Sequence, residues 1–262
     1  MNHDAFIRRK EAEIPYYVCK DLQNINGLYH GFSTRHGGAN PVAESFFDLG
    51  EAARDNRRRF LSALHLADMN LITLRQIHSG KFIIIREKCS QGIPTEGDAL
   101  VTQVKNVALA VMVADCLPVL VADPVTRVSA AIHAGWKGIL AGIFEKTIAG
   151  MRHSFGVRES DLIVAIGPGI RSCCFEVGSD VVDLFDKAYP AHPLAIPHPV
   201  HRGKWLLDLR AALNVQFSSS NIHKEKIFDL ETCTCCNTQE FFSYRCEGYS
   251  AGRMMAVIGM DS

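Results

Sequence analysis

The sequence predicts an α+β fold: a single domain of mixed β-sheets with outer helices. Three observations predict it. Strand-like and helix-like segments are interleaved without the regular alternation of a parallel βαβ protein. The stretch Val107–Leu140 holds two near-continuous apolar runs, Val107–Ala114 and Leu117–Ala122, which read as strands buried on both faces. No Pro/Gly/Ser linker, repeat or low-complexity tract divides the chain, and 262 residues suffice for one large domain.

The elements follow in order. After a polar lead, Tyr16–Cys19 and Leu28–Ser33 read as strands, the second ending in Thr34-Arg35-His36-Gly37-Gly38. Gly50–Leu66 reads as a helix, with Ala53, Phe60, Leu61 and Leu64 near one face and the basic Arg57–Arg59 cluster mostly opposite or flanking. Asn70–Arg75 and Lys81–Arg86 are strands around the turn that carries His78, and Gly97–Val101 leads into the central runs. Val128–His133, after a turn at Asp123-Pro124, is the third central strand. Lys137–Phe155 is expected as one helix, its apolar stripe Leu140, Ile143, Phe144, Ile148 and Met151 stopped by Gly156. Leu162–Ile166 is a strand running into a tight Gly-Pro-Gly turn. Gly178–Tyr189 and Asp208–Ser218 read as helices, with a long surface loop at Tyr189–Gly203 and a strand at Lys204–Leu207 between them. Lys226–Asp229, Glu240–Arg245 and Met254–Met260 are the last strands expected.

Composition excludes some classes of function. A net charge of zero, with histidine neutral, gives no bulk electrostatic case for binding nucleic acid or an anionic membrane. The apolar runs are too short to span a bilayer, and the polar N-terminus lacks the apolar core of a signal peptide, so a cytoplasmic protein is expected. Nine cysteines without an export signal favour thiols or metal ligands over a disulfide framework. The chain has no GxGxxG, no Walker loop and no GxSxG in the right context.

The candidate chemistry reduces to His78, Cys116 and His133, each at a strand end or in a tight turn. Two imidazoles and a thiolate form a borderline-soft set, and three protein ligands with one open position match catalytic zinc. The same Cys116 and His133 also fit a metal-free nucleophile and base. The spacing is wide and decides neither reading. A second group, Cys233-Thr234-Cys235-Cys236 with Cys173-Cys174 and Cys246, is dense in thiols but lacks a second CxxC pair. It reads as buried or half-buried thiols, with Cys233, Cys235 and Cys236 not expected to share a metal with Cys173 or Cys174. Arg35, beside Gly37-Gly38, is the candidate for gripping an anion.

Ordered motifs run through nearly the whole chain: STRHGG (Ser33–Gly38), DNRRRF (Asp55–Phe60), QIHSG (Gln76–Gly80) and GDALVT (Gly97–Thr102). They continue with ADCLPVLVADP (Ala114–Pro124), HAGWKG (His133–Gly138), IGPGI (Ile166–Ile170), FEVG (Phe175–Gly178), WLLDL (Trp205–Leu209) and FFSYRCEGYSAGRMMAVI (Phe241–Ile258). In these the chain resembles the multicopper polyphenol oxidase (laccase-domain) family, better described as multifunctional purine nucleoside phosphorylases. The resemblance implies a single α+β domain related to the catalytic domains of cytotoxic necrotizing toxins. It implies His78, Cys116 and His133 as ligands of zinc, with copper as an alternative. It also implies phosphorolysis of adenosine, inosine and methylthioadenosine, together with deamination of adenosine, so that purine nucleosides and phosphate are the partners. Two departures stand out. Asp48-Leu49 replaces the family's Asn-Leu pair, and Cys246 stands where arginine is common.

These implications set the chemical expectations. Zinc on such ligands lowers the pKa of bound water to about 7, which suits attack on C6 of adenine. Phosphorolysis requires phosphate to be oriented and the departing base stabilised, with Arg35 as the anion contact. Asp115 and Gln76, beside the ligands in sequence, are expected to orient the imidazoles. Three rival expectations remain: a copper polyphenol oxidase, for which the chain lacks HxH repeats, a metal-free Cys–His hydrolase, and a non-catalytic partner-binding protein, against which the open metal position argues.

Overall fold

A computed structural model describes residues 5–36, 51–88 and 95–261. Its strands, in chain order, are β1 (Phe6–Glu11), β2 (Ile14–Cys19), β3 (Leu28–Ser33), β4 (Asn70–Ile72), β5 (Phe82–Ile85), β6 (Ala99–Thr102), β7 (Val107–Val113) and β8 (Leu117–Asp123). They continue with β9 (Val128–Ala134), β10 (Ile163–Ile166), β11 (Glu176–Gly178), β12 (Ala195–Pro197), β13 (Lys204–Leu207), β14 (Ile227–Asp229) and β15 (Met254–Met260). The α-helices are α1 (Lys20–Gln23), α2 (Glu51–Ala63), α3 (Trp136–Leu140), α4 (Ile143–Phe155), α5 (Ser179–Ala188), α6 (Leu209–Ser218) and α7 (Tyr244–Glu247).

Two six-stranded sheets, β1-β2-β3-β15-β7-β4 and β14-β10-β8-β9-β6-β5, stack face to face, and a small sheet β11-β13-β12 lies apart from them. Most neighbours are antiparallel, but β4–β7, β5–β6 and β10–β14 run parallel. The sheets are therefore mixed, as the irregular order of elements requires. Side chains alternate along each strand, and both faces are covered. Leu109 and Val111 of β7 meet Leu120, Ala122 and Ala131 between the sheets. Ala108, Ala110 and Met112 of the same strand face Phe60 of α2 and Leu64 just past its end. On the far side, Val119, Val121, Ala130 and Ile132 pack against Phe144 and Ile148 of α4 and Phe217 of α6. Burial on both faces is why these strands read as continuous apolar runs.

Several expected boundaries change. The helix expected over Lys137–Phe155 is two helices, because Gly142 adopts a left-handed conformation (φ +70°) between α3 and α4. Glu240–Arg245 is not a strand. The segment runs instead into α7, which Ser243 caps by accepting from the Cys246 N–H. The strand from Asn70 ends at Ile72. The polar lead forms the edge strand β1, and the loop expected at Tyr189–Gly203 contributes β12 to the small sheet. The helix expected to reach Leu66 ends at Ala63, and Phe60 and Leu61 within it and Leu64 just past it are buried as expected. The side chain of Ala53, the Gly37-Gly38 pair and the Ala39–Leu49 segment with Asp48 lie outside the described residues. Among the described residues no helix is long and apolar enough to cross a membrane.

Candidate metal centre

His78, Cys116 and His133 come together from three separate loops and strand ends. His78 sits in the turn between β4 and β5, in a left-handed conformation (φ +56°) uncommon for a side chain other than glycine. Cys116 lies in the connection between β7 and β8. His133 is next to last in β9, opposite Pro118 in the β8–β9 ladder, which sets it near Cys116. One ligand atom from each of the three falls within 4.8 Å of the others. The two imidazoles meet edge to face, with ring centroids 4.8 Å apart.

Asp98 organises the cluster. It is fully buried just before β6, and the β6–β9 pairing places it beside His133. The main-chain N–H of His133 donates to the Asp98 carbonyl at 2.7 Å. The Asp98 carboxylate accepts four hydrogen bonds: from His133 Nδ1 (2.9 Å), the His78 N–H (2.9 Å), the Ser79 N–H (2.6 Å) and Ser79 Oγ (2.8 Å). With Nδ1–H bound to Asp98, His133 keeps Nε2 free as a ligand or base. Asp98 also holds the backbone of the turn that carries His78.

The electrostatics follow from this packing. Burial opposes the charged form of Cys116, but His133 and then His78 outweigh it, holding the thiol down at about 6. Burial likewise opposes a charged His133, and Cys116 with Asp98 outweighs that, raising the imidazole to about 9. Asp98 is pushed up by burial and pulled down further by His133 and Ser79, to about 2. Without a metal the site is therefore a thiolate–imidazolium pair on a buried carboxylate.

Gly135 explains part of the HAGWKG motif. A Cβ there would lie 3.0 Å from Cys116 Sγ and 3.1 Å from His78 Cδ2. The absent methyl leaves space beside all three side chains. Gly80 and Gly138 let the His78 turn pack on α3: a Cβ at Gly80 would meet the Ala141 carbonyl at 2.7 Å.

The orienting partners differ from those expected. Gln76 exchanges hydrogen bonds with the main chain of Met112, and Asp115 accepts from Thr234 Oγ1 and the Arg245 N–H. Neither carboxamide nor carboxylate reaches an imidazole there; Asp98 takes that role. GDALVT marked Asp98 as part of a motif, but not as the group that holds two ligands. Arg35 is not brought into the cluster. Its guanidinium pairs with Glu247 at 2.9 Å, donates to the Thr238 carbonyl and lies 4.6 Å from the Phe242 ring centroid.

The second group of cysteines also departs from expectation. Cys235 and Cys246 form a disulfide. The sulfurs of Cys173, Cys174, Cys233 and Cys236 lie within 4.8 Å of one another, close enough to hold one ion, although no shared metal was expected between the two segments. A third convergence, Glu176 with His198 and His201, lies at the surface, its two imidazoles stacked at 4.3 Å.

Comparison with known proteins gives consistent likenesses. A family described as multi-copper polyphenol oxidoreductase laccase matches residues 29–261. A purine nucleoside phosphorylase of Clostridium acetobutylicum is 36% identical over 229 residues, covering 87% of this chain and 89% of the relative. One from Deinococcus radiodurans is 33% identical over 241 residues, 88% of each chain. A protein named adenosine deaminase RL5, from an unknown prokaryotic organism, is 33% identical over 90% of this chain and 95% of its own. The crystal structure of YlmD from Geobacillus stearothermophilus superposes with a TM-score of 0.86 at 29% identity, covering 98% of this chain and 99% of that one.

Proposed function

The chain belongs to the multi-copper polyphenol oxidoreductase laccase family, and from that premise we propose that it is a zinc-dependent purine nucleoside phosphorylase that also deaminates adenosine. Adenosine, inosine and methylthioadenosine are its substrates, with phosphate. The observation that carries this reading is the convergence of His78, Cys116 and His133 on one point, with Asp98 fixing the donor atom of His133. Relatives named purine nucleoside phosphorylase and adenosine deaminase support the choice of substrate.

The donor set fits zinc. It offers one thiolate and two imidazoles, it leaves a fourth position for water or substrate, and a buried carboxylate stands behind one imidazole. When bound, zinc supplies a Lewis acid and lowers the pKa of water in its open position. The protein's own contribution is positional. Asp98 holds the His133 tautomer and the His78 turn, so the ligands need little reorganisation. Gly135 keeps the space in front of them clear for a nucleoside. The fully buried β6 and β9 anchor Asp98 and His133 on rigid elements.

A second reading rests on a specific arrangement. Cys116, His133 and Asp98 also form a nucleophile, base and orienting acid, with the thiol already held at about 6. That is the machinery of a metal-free Cys–His hydrolase, consistent with a kinship to cysteine-dependent toxin deamidases. Copper polyphenol oxidation is the third reading, supported by the family description alone.

Product analysis separates the three. Inosine is incubated with and without phosphate while oxygen is monitored. The phosphorylase yields ribose 1-phosphate and hypoxanthine only with phosphate and consumes no oxygen, and it converts adenosine to inosine without phosphate. Cleavage that ignores both phosphate and a chelator supports the hydrolase. Turnover that requires oxygen supports the oxidase.

A further inference from the structure

We propose that Cys173, Cys174, Cys233 and Cys236 form a second, structural zinc site of four thiolates, separate from the His78–Cys116–His133 centre, which braces the loop carrying Cys116.

The four sulfurs come from two segments. Cys173 and Cys174 follow the Gly-Pro-Gly turn after β10, while Cys233 and Cys236 form a CxxC spacing in the turn after β14. The parallel β10–β14 pairing brings the segments side by side. The Gly169 N–H donates to the Thr232 carbonyl, and the Thr234 N–H donates back to the Gly169 carbonyl. All four sulfurs then lie within 4.8 Å of one another, with Cys174–Cys236 at 3.3 Å and Cys173–Cys236 at 3.5 Å. Zinc–sulfur bonds of about 2.3 Å in a tetrahedron set sulfur–sulfur edges of about 3.8 Å. The cluster needs only small side-chain shifts to reach that shape. Its contacts are far longer than a disulfide's bond of about 2.05 Å.

The surroundings suit a thiolate cluster. The N–H groups of Cys236 and Arg171 are directed at the Cys233 sulfur, donors that stabilise a bound thiolate. Four thiolates on one divalent ion carry a net charge of −2, and Arg245 stands close, reaching the Cys174 carbonyl at 3.5 Å, while the Arg171 guanidinium pairs with Asp229. A closed set of four sulfur ligands leaves no open position, which is the mark of structural zinc. Each thiol releases its proton to solvent on binding, with no change of oxidation state.

The site touches the catalytic region through Asp115. That residue precedes Cys116 and holds a left-handed backbone (φ +83°), uncommon for a residue other than glycine. Three hydrogen bonds keep it there: Thr234 Oγ1 and the Arg245 N–H donate to its carboxylate at 2.6 Å each, and the Ile170 N–H donates to its carbonyl at 2.7 Å. Thr234 lies within the CxxC turn. Arg245 precedes Cys246, which the Cys235–Cys246 disulfide ties to that same turn. Metal at the four thiols thus fixes the turn that fixes Asp115, and Asp115 sets the exit of Cys116.

The test uses full-length protein prepared anaerobically and titrated with cobalt chloride. Wild type is expected to bind two ions. Cys116→Ser/His133→Ala is expected to keep one, with the charge-transfer intensity of four thiolates. Cys173→Ser/Cys236→Ser is expected to keep one, with the intensity of a single thiolate. The proposal is overturned if Cys116→Ser/His133→Ala binds no cobalt, or binds it with single-thiolate intensity. It is also overturned if zinc-treated protein shows Cys236 disulfide-linked to Cys173 or Cys174 by peptide mass spectrometry. Should a double variant misfold, wild-type alkylation decides. Zinc chloride must shield the peptides of Cys173, Cys174, Cys233 and Cys236, and a chelator must expose them; equal labelling in both states sinks the proposal. Failure of the catalytic assignment would instead remove the cobalt that depends on Cys116 and leave these four thiols occupied.

Discussion

Replacing Asp98 by Asn removes one charge and changes no volume, so it isolates the electrostatic role of the buried carboxylate. Asp98 accepts four hydrogen bonds, two on each oxygen. An amide turns one of those oxygens into a donor. If the NH2 replaces Oδ2, it faces the Ser79 N–H. If it replaces Oδ1, it faces the His78 N–H and His133 Nδ1. The second arrangement satisfies His133 only by moving its proton to Nε2, which removes it as a metal ligand. Either orientation sets a donor against a buried main-chain donor. Loss of such an orienting partner typically costs 10- to 100-fold in metal affinity, or about 1.4–2.7 kcal/mol. Breaking the buried charge network is expected to cost the metal-free fold about 3 kcal/mol. Zinc affinity is measured by competition with a chromophoric chelator, and stability by urea unfolding of the metal-free protein. Zinc affinity within twofold of wild type, together with unchanged unfolding, would refute the role assigned to Asp98.

Gly135→Ala tests the space in front of the ligands. Gly135 has an ordinary φ of −78°, so alanine costs no backbone strain, yet its methyl would crowd Cys116 and His78. Overpacking of about 1–3 kcal/mol predicts zinc binding weakened about tenfold or more in a folded protein, and equal affinity in both forms would contradict the geometry. In metal-free protein the alkylation rate of Cys116 should rise with pH around an inflection near 6, and an inflection near the ordinary thiol value of about 8.5 would show that the thiolate–imidazolium pair does not form. His30 is buried and accepts from the Cys19 N–H, and burial lowers its pKa to about 3. Between about 3 and 6.5 the unfolded chain therefore binds the extra proton, so stability falls as the pH drops through that window. At pH 4.5 this one group should cost about 2.5 kcal/mol relative to neutral pH. His30→Gln should flatten that loss in urea unfolding, and equal pH slopes in variant and wild type would count against it.

What the sequence makes legible follows from distance along the chain. The three central strands announce themselves because each is buried over seven consecutive positions, nearly all of them apolar. His78, Cys116 and His133 stand out because reactive side chains at the ends of such strands interrupt an otherwise apolar pattern. Asp98 carries no such mark. Its role arises only when β6 pairs with β9 and brings together residues 35 apart. The four-thiol cluster is hidden in the same way, since the β10–β14 pairing joins cysteines about sixty residues apart. Asp115 and Gln76 lie next to ligands in sequence, but the strand pleat and the left-handed turn at Asp115 aim them elsewhere. Sequence adjacency is a poor guide to which carboxylate faces an imidazole.

The most direct test of the account follows metal and catalysis on the same sample. Metal-free protein is titrated with zinc while two signals are read together: protection of Cys116 from alkylation, and phosphate-dependent release of hypoxanthine from inosine. Because protection reports only the centre that contains Cys116, zinc held elsewhere does not confuse the comparison. The account predicts no turnover before zinc is added and two curves that rise and saturate together. Full turnover while Cys116 remains open to alkylation, or a fully protected Cys116 with no phosphate-dependent turnover, would contradict it.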